Sequence, residues 1–394
     1  MLSVPDALAR VLALMRPTDI ESVPLAQAGG RVLARNASAT RDQPPFAASA
    51  MDGYAVRAAD AMRGARLRVI GEAPAGRRFD GAVGVGEAVR IFTGAPLPPG
   101  ADSVLIQEDA RVIGTEIEVA EAPAHGESVR PQGVDFTAGA EVVAPRRLSP
   151  EDVALLAAMN VAEVSVRRRP RVVLIPTGDE LVLPGARPGP DQIVASNNYG
   201  IAAMLAARGA DAEIAPIARD TRADVRAALD AAEGADLIVT LGGASVGDYD
   251  LVAEAVGALA FYKVAMRPGK PLMAGRVGAS PLVGLPGNPV SAMVCGHIFL
   301  RPALDALLGL AAGPLPRLRA VLGVDLPKGG PREHYMRAQM RREGGGLVVT
   351  PFANQDSSVL SLLARADALL VRPAHSGPLA AGDAVDVLPL REVY

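Results

Sequence analysis

The chain has 394 residues, a formal net charge of −3, 49% hydrophobic and 3% aromatic residues, and no tryptophan. That length calls for two to four domains with sizeable cores. Its interspersed charges argue against nucleic acid or an anionic membrane as partner, and its few aromatics argue against stacking on bases.

The single cysteine, Cys295, excludes an internal disulfide and a cysteine-rich zinc site. The four histidines, His125, His297, His334 and His375, show no metal-ligand spacing and read as structural or surface residues. No apolar run reaches the ~18 residues of a membrane span, and the N-terminus lacks the basic and apolar regions of a signal peptide. A cytoplasmic protein is the default expectation.

The first element, "SVPDALARVLALM", reads as a helix with Ser3 as N-cap, Pro5 at the first helical position and Asp6 at the capping-box position. Residues 40 to 140 then lose helical periodicity. Their Gly/Pro-rich turns and short alternating runs ("ARLRVI", "EAVRIF", "SVLIQE", "TEIEVA") predict an all-β module. "SPEDVALLAAMN" predicts a helix capped by Ser149 and Asp152 and stopped by a left-handed Asn160. "RRRP" (167–170) reads as a solvated linker. From 171 the pattern alternates strand and helix: "RVVLIP", "NNYGIAAMLAARG", "AEIAPIA", "TRADVRAALDAAEG", "DLIVTL", "DLVAEAVGAL", "FYKVAM", "PLMAG", "SPLVGL" and a helix from Pro289 to about Leu308. Apolar strands between amphipathic helices mean a doubly covered, mainly parallel sheet. "GLAAGPLP" is a linker, and the remaining strand-like runs make a small antiparallel barrel or sandwich.

Ligands of such sheets bind at the carboxyl ends of the strands. Those ends carry "PTGDELV", Arg219-Asp220, "GGASVGDYD", "RPGKP" and "GLPGNPVSA". Gly242, Gly243 and Gly247 allow backbone N–H groups to close on an anion, and Ser245 adds a hydroxyl. Lys263, Arg267 and Lys270 supply charge for an oxyanion, while Lys263 could equally snorkel from an edge strand. Pro286, Asn288 and Pro289 belong to a stiff turn that fixes N–H groups. Glu180, Asp220 and Asp250 among these cations point to Mg²⁺ shared with ligand oxygens. Asp248 reads as a helix cap, and Cys295 as a core thiol. Three upstream loops, around Asp52, Thr93-Gly94 and Asp135, read singly as turns with polar tips.

Taken in order, "SAMDGYA", "RIFTGAPLPPGADSV", "PTGDELV", "SN" at 196–197, "TLGGASVGDYD", "RPGKPL" and "GLPGNPVSA" resemble the molybdopterin molybdenumtransferase family, which includes the E domain of gephyrin-type proteins. The chain departs from the family's frequent GGVSxG at Ala244 and from KPGKP at Arg267. The resemblance implies a multidomain α/β plus β chain with a doubly wound, molybdopterin-binding type sheet (1–18 with 167–312). It adds a small α+β linking domain (19–39 with 140–166), a β-rich module (40–139) and a C-terminal β-barrel (313–394). It implies a homodimer with a cleft shared between subunits, contact with other cofactor-biosynthesis proteins, and no nucleic-acid or membrane partner. The implied reaction is Mg²⁺-dependent insertion of molybdate into adenylylated molybdopterin with release of AMP. By motif position, Asp52, Thr93 and Asp135 would line the cleft from the β module, and Glu180, Asp220 and Asp250 would be its acidic, metal-binding group. Lys263, Arg267, Lys270, Ser245, Pro286 and Pro289 would bind phosphate and molybdate, with Arg337 and Ser357 as the barrel's basic and hydroxyl positions. Two other readings stay open: adenylylation of molybdopterin by ATP, and a non-catalytic molybdopterin-binding scaffold.

Overall fold

A computed structural model of the chain describes residues 1–242, 251–256 and 258–391. The chain divides into two compact units. Met1–Glu21, Gly30–Ala34 and Val166–Tyr394 make one; Ser22–Gly29 and Arg35–Ser165 make the other.

The larger unit is built on six strands: β1 (Arg171–Pro176), β2 (Asp211–Ile214), β3 (Leu237–Leu241), β4 (Ala258–Tyr262), β5 (Met273–Val277) and β6 (Ser280–Leu285). Their order is β2-β1-β3-β6-β5-β4. The first four run parallel, and β5 and β4 add an antiparallel edge. Alternation along β1 sends Val172 and Leu174 into a core with the helices Val4–Leu14, Asn197–Ala206 and Pro289–Leu307. Val173 and Ile175 face the opposite core, with Arg222–Ala231 and Leu251–Ala255. The doubly covered sheet expected from the apolar runs is therefore present.

Several local expectations hold and several do not. Ser3 caps the first helix through its Oγ, which accepts from Asp6 N at 3.2 Å, but the helix begins at Val4 and Pro5 takes its second position. Thr221 Oγ1 accepts from Asp224 N at 3.1 Å. "RRRP" is not a solvated linker. Arg168 donates two bonds to Asp236, both 2.9 Å, and Arg167 Nη1 donates to the Thr18 carbonyl at 2.7 Å. Lys263 lies between strands, at φ 72°, with its Nζ 4.6 Å from the Tyr262 ring centroid. The helix Pro289–Leu307 is long and apolar enough to cross a membrane by length and composition, although Arg301 and Asp305 keep its apolar run short, and 72% of its apolar window is buried in the core. One turn of π-helix, Gly296–Leu300, interrupts it.

Beyond that helix, five strands close into a barrel: Leu318–Leu322, Glu333–Glu343, Gly346–Pro351, Ala368–Arg372 and Ala384–Pro389. Met336, Ala338, Leu370, Val385 and Val387 fill its interior. The Met266–Arg267 segment of the "RPGKP" loop pairs in parallel with the first residues of the longest barrel strand, Met266 to Glu333 and Arg267 to His334.

The second unit carries a six-stranded sheet in the order Ser103–Ile106, Gly53–Val56, Glu87–Ile91, Arg66–Ala73, Glu116–Val119, Ala110–Ile113. Tyr54 and Val56 enter one core and Ala55 the other, so the sheet is covered on both faces. The helix Pro150–Ala158 has a complete capping box between Ser149 and Asp152, and Asn160 stands at φ 61° beyond it.

Candidate active site

The chain leaves β1 for β2 on one side and returns to β3 on the other, so a crevice opens at the carboxyl ends of β1 and β3. A cavity of about 1020 Å³ lies there. Its wall takes Thr177, Gly178 and Glu180 from the loop after β1, Asp220 from the loop after β2, Gly242 from the end of β3, and Pro286–Pro289 after β6. Ser196, Asn197 and Asn198 bring the N-terminus of the Asn197–Ala206 helix to the same wall.

Backbone shape makes room for a ligand. Gly242 sits at φ 101°, and a Cβ there would meet the Thr177 carbonyl oxygen at 2.5 Å, so only glycine fits. A Cβ on Gly178 (φ 149°) would meet Glu180 Oε2 at 2.6 Å; the glycine lets this carboxylate fold back over the loop. Asp179 turns away from the cavity and accepts from Asp220 N at 3.3 Å, which holds Asp220 in place. Asn197 Nδ2 donates to the Gly287 carbonyl at 2.6 Å, tying the helix start to the turn after β6.

Two polar groups on this wall are left over. Thr177 is 3% exposed and Asn198 1% exposed, yet among the described residues neither Thr177 Oγ1 nor Asn198 Nδ2 has a hydrogen-bond partner. An unsatisfied buried group costs about 1–3 kcal/mol. With a helix N-terminus beside them, they suit the oxygens of an anion.

The expected cations stand off this wall. Of the 263–271 loop only Pro271 lines the cavity; Lys263, Arg267 and Lys270 do not. Gly269 (φ 108°) lets the loop lie directly on the Cys295 thiol, which is fully buried and whose pKa burial pushes well up. Arg337 is 1% exposed. Its Nη1 donates to the Val359 carbonyl at 2.8 Å, its Nη2 to that of Asn354 at 3.2 Å, and its Nε to Gln355 Oε1 at 3.4 Å. It thereby fixes the loop that brings Ser358 to the cavity rim, while the Ser357 carbonyl accepts from Val290 N at 3.1 Å. Gly243, Ser245, Gly247, Asp248 and Asp250 lie outside the described residues. Among the described residues, no group of three or more acids, histidines or cysteines is placed to hold a metal. Glu180 and Asp220 share the cavity wall.

In the other unit, two upstream motifs meet. Asp52 Oδ1 accepts from Thr93 N and from Thr93 Oγ1, both at 2.8 Å. The backbone bond first, then the hydroxyl, holds this carboxyl below its usual range. Arg90, between the Tyr54 and Phe92 rings at 5.0 Å from each, adds attraction. Asp135 is exposed on a separate loop, where its N–H donates to the Gln43 carbonyl at 3.0 Å.

Family models match three successive stretches of the chain. Residues 2–160 match the family model for the MoeA N-terminal region (domains I and II), 173–306 a probable molybdopterin-binding domain, and 319–390 the MoeA C-terminal region (domain IV). A Nostoc molybdopterin molybdenumtransferase is 37% identical over 94% of this chain and 89% of its own length. Molybdopterin molybdenumtransferase 2 of Mycobacterium tuberculosis is 36% identical over 99% of this chain and 100% of its own. The chain belongs to the molybdopterin molybdenumtransferase family. A crystal structure of a molybdopterin biosynthesis MoeA protein from Pyrococcus horikoshii superposes with a TM-score of 0.85, at 30% identity and full coverage of both chains.

Within this family member, Glu180, Asp220, Gly242, Pro286, Asn288 and Pro289 gather on one cavity, and Asp52 joins Thr93 in the other unit. Thr177 and Asn198 were not picked out from sequence. Thr177 lies within the quoted "PTGDELV" and Asn198 directly follows "SN", but what distinguishes them is a missing partner among the described residues, which only coordinates reveal.

Proposed function

We propose that the chain inserts molybdate into adenylylated molybdopterin and releases AMP. What supports this reading is the cavity at the β1/β3 crevice, with unpartnered Thr177 and Asn198 beside Glu180 and Asp220. A pterin phosphate would take hydrogen bonds from the Thr177 hydroxyl, the Asn198 amide and the helix N-terminus. Pro286 to Pro289 would hold the turn that closes over it. Molybdate would be gathered by Arg267 and Lys270, which stand off the cavity wall and whose charges lack carboxylate partners among the described residues.

The donor set suits a hard divalent cation, because Glu180 and Asp220 offer carboxylate oxygens on the wall of the same cavity. With Asp250 they would hold Mg²⁺, which when bound supplies Lewis-acid polarisation of the phosphoanhydride. The chain's own part is electrostatic: orienting the anhydride and keeping donors on the phosphate oxygens as AMP departs. No protein nucleophile is required.

We further infer a cytoplasmic homodimer in which Asp52, Thr93 and Asp135 of one subunit complete the cleft of the other. The four-domain division drawn from sequence goes with this reading, as does contact with other cofactor-biosynthesis proteins. The deciding experiment incubates purified chain with adenylylated molybdopterin, molybdate and Mg²⁺. AMP release and active cofactor are expected to depend on molybdate; AMP release at the same rate without it would sink the proposal.

A further inference from the structure

A cavity for a polyanion is expected to carry bases, and this one does not. Among the described residues on its wall, Glu180 and Asp220 are charged and none is lysine, arginine or histidine. The stretch from Gly243 to Asp250, outside the described residues, adds Asp248 and Asp250 by sequence and no base. The donors open to a ligand are neutral. They are Thr177 Oγ1 and Asn198 Nδ2, both buried and without partners among the described residues, and the start of the Asn197–Ala206 helix.

The bases nearest in sequence are engaged by other carboxylates. Arg219 precedes Asp220 yet lies 4.0 Å from Asp179, and Arg222 meets Glu254 at 2.7 Å. Asp179 also accepts from Asp220 N at 3.3 Å, so one carboxylate both draws Arg219 off and fixes the Asp220 backbone. Among the described residues, neither the Glu180 nor the Asp220 side chain has an ion-pair or hydrogen-bond partner.

A bare phosphate entering here gains neutral hydrogen bonds and meets two uncompensated negative charges. Two carboxylates are in turn too few for Mg²⁺ by themselves, and no group of three or more ligands is placed to hold a metal among the described residues. That ion keeps an octahedral shell and is bound by one or two carboxylates together with phosphate oxygens. Cation and phosphate each supply what the other lacks. Glu180 and Asp220 are exposed, so a hydrated cation reaches them from solvent.

We propose that Glu180 and Asp220 form a charge filter, which opposes the metal-free phosphate ligand and admits it only together with a divalent cation. The inference rests on the cavity being the phosphate site, as in the proposed function, and adds that cation and ligand enter with strong positive coupling. It also sets the substrate class. A pyrophosphate diester chelates the cation through two phosphoryl groups and a monoester through one, so the filter favours the diester.

The test is equilibrium binding to the full chain by calorimetry, with molybdate absent. ADP-ribose serves as the pyrophosphate diester and AMP as the monoester with the same nucleoside. Mn²⁺, followed by its EPR signal, stands for Mg²⁺ where the cation is titrated alone. In the parent chain Mg²⁺ should tighten ADP-ribose roughly tenfold or more, and ADP-ribose should tighten the cation by the same factor, because coupling is reciprocal. AMP should gain less. The deciding result is a reversal of sign in Glu180→Gln and Asp220→Asn, neutral changes of the same shape at exposed positions. Without metal each should bind ADP-ribose more tightly than the parent, by about fivefold, the size of one like-charge contact at about 4 Å in water. With Mg²⁺ each should bind it more weakly. Misfolding or a lost hydrogen bond weakens binding in both conditions and cannot produce the reversal. Variants that weaken ADP-ribose with and without metal, or that change neither, overturn the proposal. So do Mn²⁺ held equally tightly with and without ADP-ribose, an AMP gain equal to that of ADP-ribose, and a parent chain that binds ADP-ribose no better with Mg²⁺. Molybdate-dependent AMP release without the reversal overturns the filter alone; the reversal without that release overturns the insertion reading alone.

Discussion

Thr177→Val separates the site's function from the fold's stability, because the structure gives the two effects opposite signs. In the free protein Thr177 Oγ1 is buried and has no partner among the described residues. Replacing that hydroxyl by a methyl of nearly the same shape removes a desolvated polar atom, so unfolding should be unchanged or harder by about 1 kcal/mol. For a unit of this size that is a rise of about 2–4 °C in Tm. With ligand, the same change deletes a hydrogen bond to a charged oxygen, worth about 1.5–3 kcal/mol, so binding should weaken roughly 10- to 100-fold. Scanning calorimetry reads the first effect, and the substrate dependence of AMP release reads the second. Thr240→Val is the matched control. Thr240 Oγ1 is equally buried and unpartnered but does not line the cavity, so stability should move the same way with affinity unchanged. A Tm that falls in Thr177→Val while affinity holds would refute the reasoning, since the hydroxyl would then be satisfied within the protein.

Three further outcomes are expected. Gly269→Ala forces a Cβ against the Cys295 thiol at φ 108° and should cost about 2–5 kcal/mol; Cys295→Ala in the same chain should restore the packing part but not the backbone part, by denaturant titration. Acid should weaken the larger unit through His297, whose folded pKa of about 4 lies below the usual value. The unfolded chain then binds the extra proton, so stability present above about pH 6.5 is lost on descending towards 4, by roughly 3 kcal/mol. His297→Gln should remove about half of the histidine-linked slope, because His334 is also held at about 4 in the same unit, and a slope unchanged by the substitution would place its origin elsewhere. Asp52→Ala and Glu180→Ala should each be inactive as homodimers and regain activity in verified heterodimers, a result that a cleft built within one subunit does not allow.

Much of the sheet was legible because its strands are continuous apolar runs and its loops break them with Gly, Pro and acids. Thr221 and the Ser149–Asp152 box were readable because capping acts within four residues. Where the outcome rested on distant partners, the local pattern misled. "RRRP" looks solvated until Asp236, far along the chain, binds Arg168. Arg337 has the residue type of a ligand contact, but its guanidinium is occupied by carbonyls of the Asn354 to Val359 loop, distant in sequence from its strand. Lys263 sits in an apolar run and yet adopts φ 72°, because the chain must turn there between the edge strand and the "RPGKP" loop.

The distribution of unfavourable features argues for where the chemistry belongs. In the α/β sheet, Gly178, Gly242, Lys263 and Gly269 all hold positive φ in loops at its carboxyl-end and "RPGKP" sides. Thr177 and Asn198 remain unsatisfied on the cavity wall. The opposite solution is found in the capped helices, where Ser3, Ser149 and Thr221 each satisfy a backbone donor. The helix from Asn197 could have been closed in the same way by Ser196, which precedes it, but Ser196 makes no cap. Leaving that N-terminus uncapped beside two unpartnered polar groups weakens the empty fold and costs nothing once an anion fills the cavity. Among the described helices, those from Asn197, Pro289 and Leu360 carry no side-chain cap, and the first two begin on the cavity wall; open helix ends there suit an anion, and Thr177→Val tests the site at the neighbouring group.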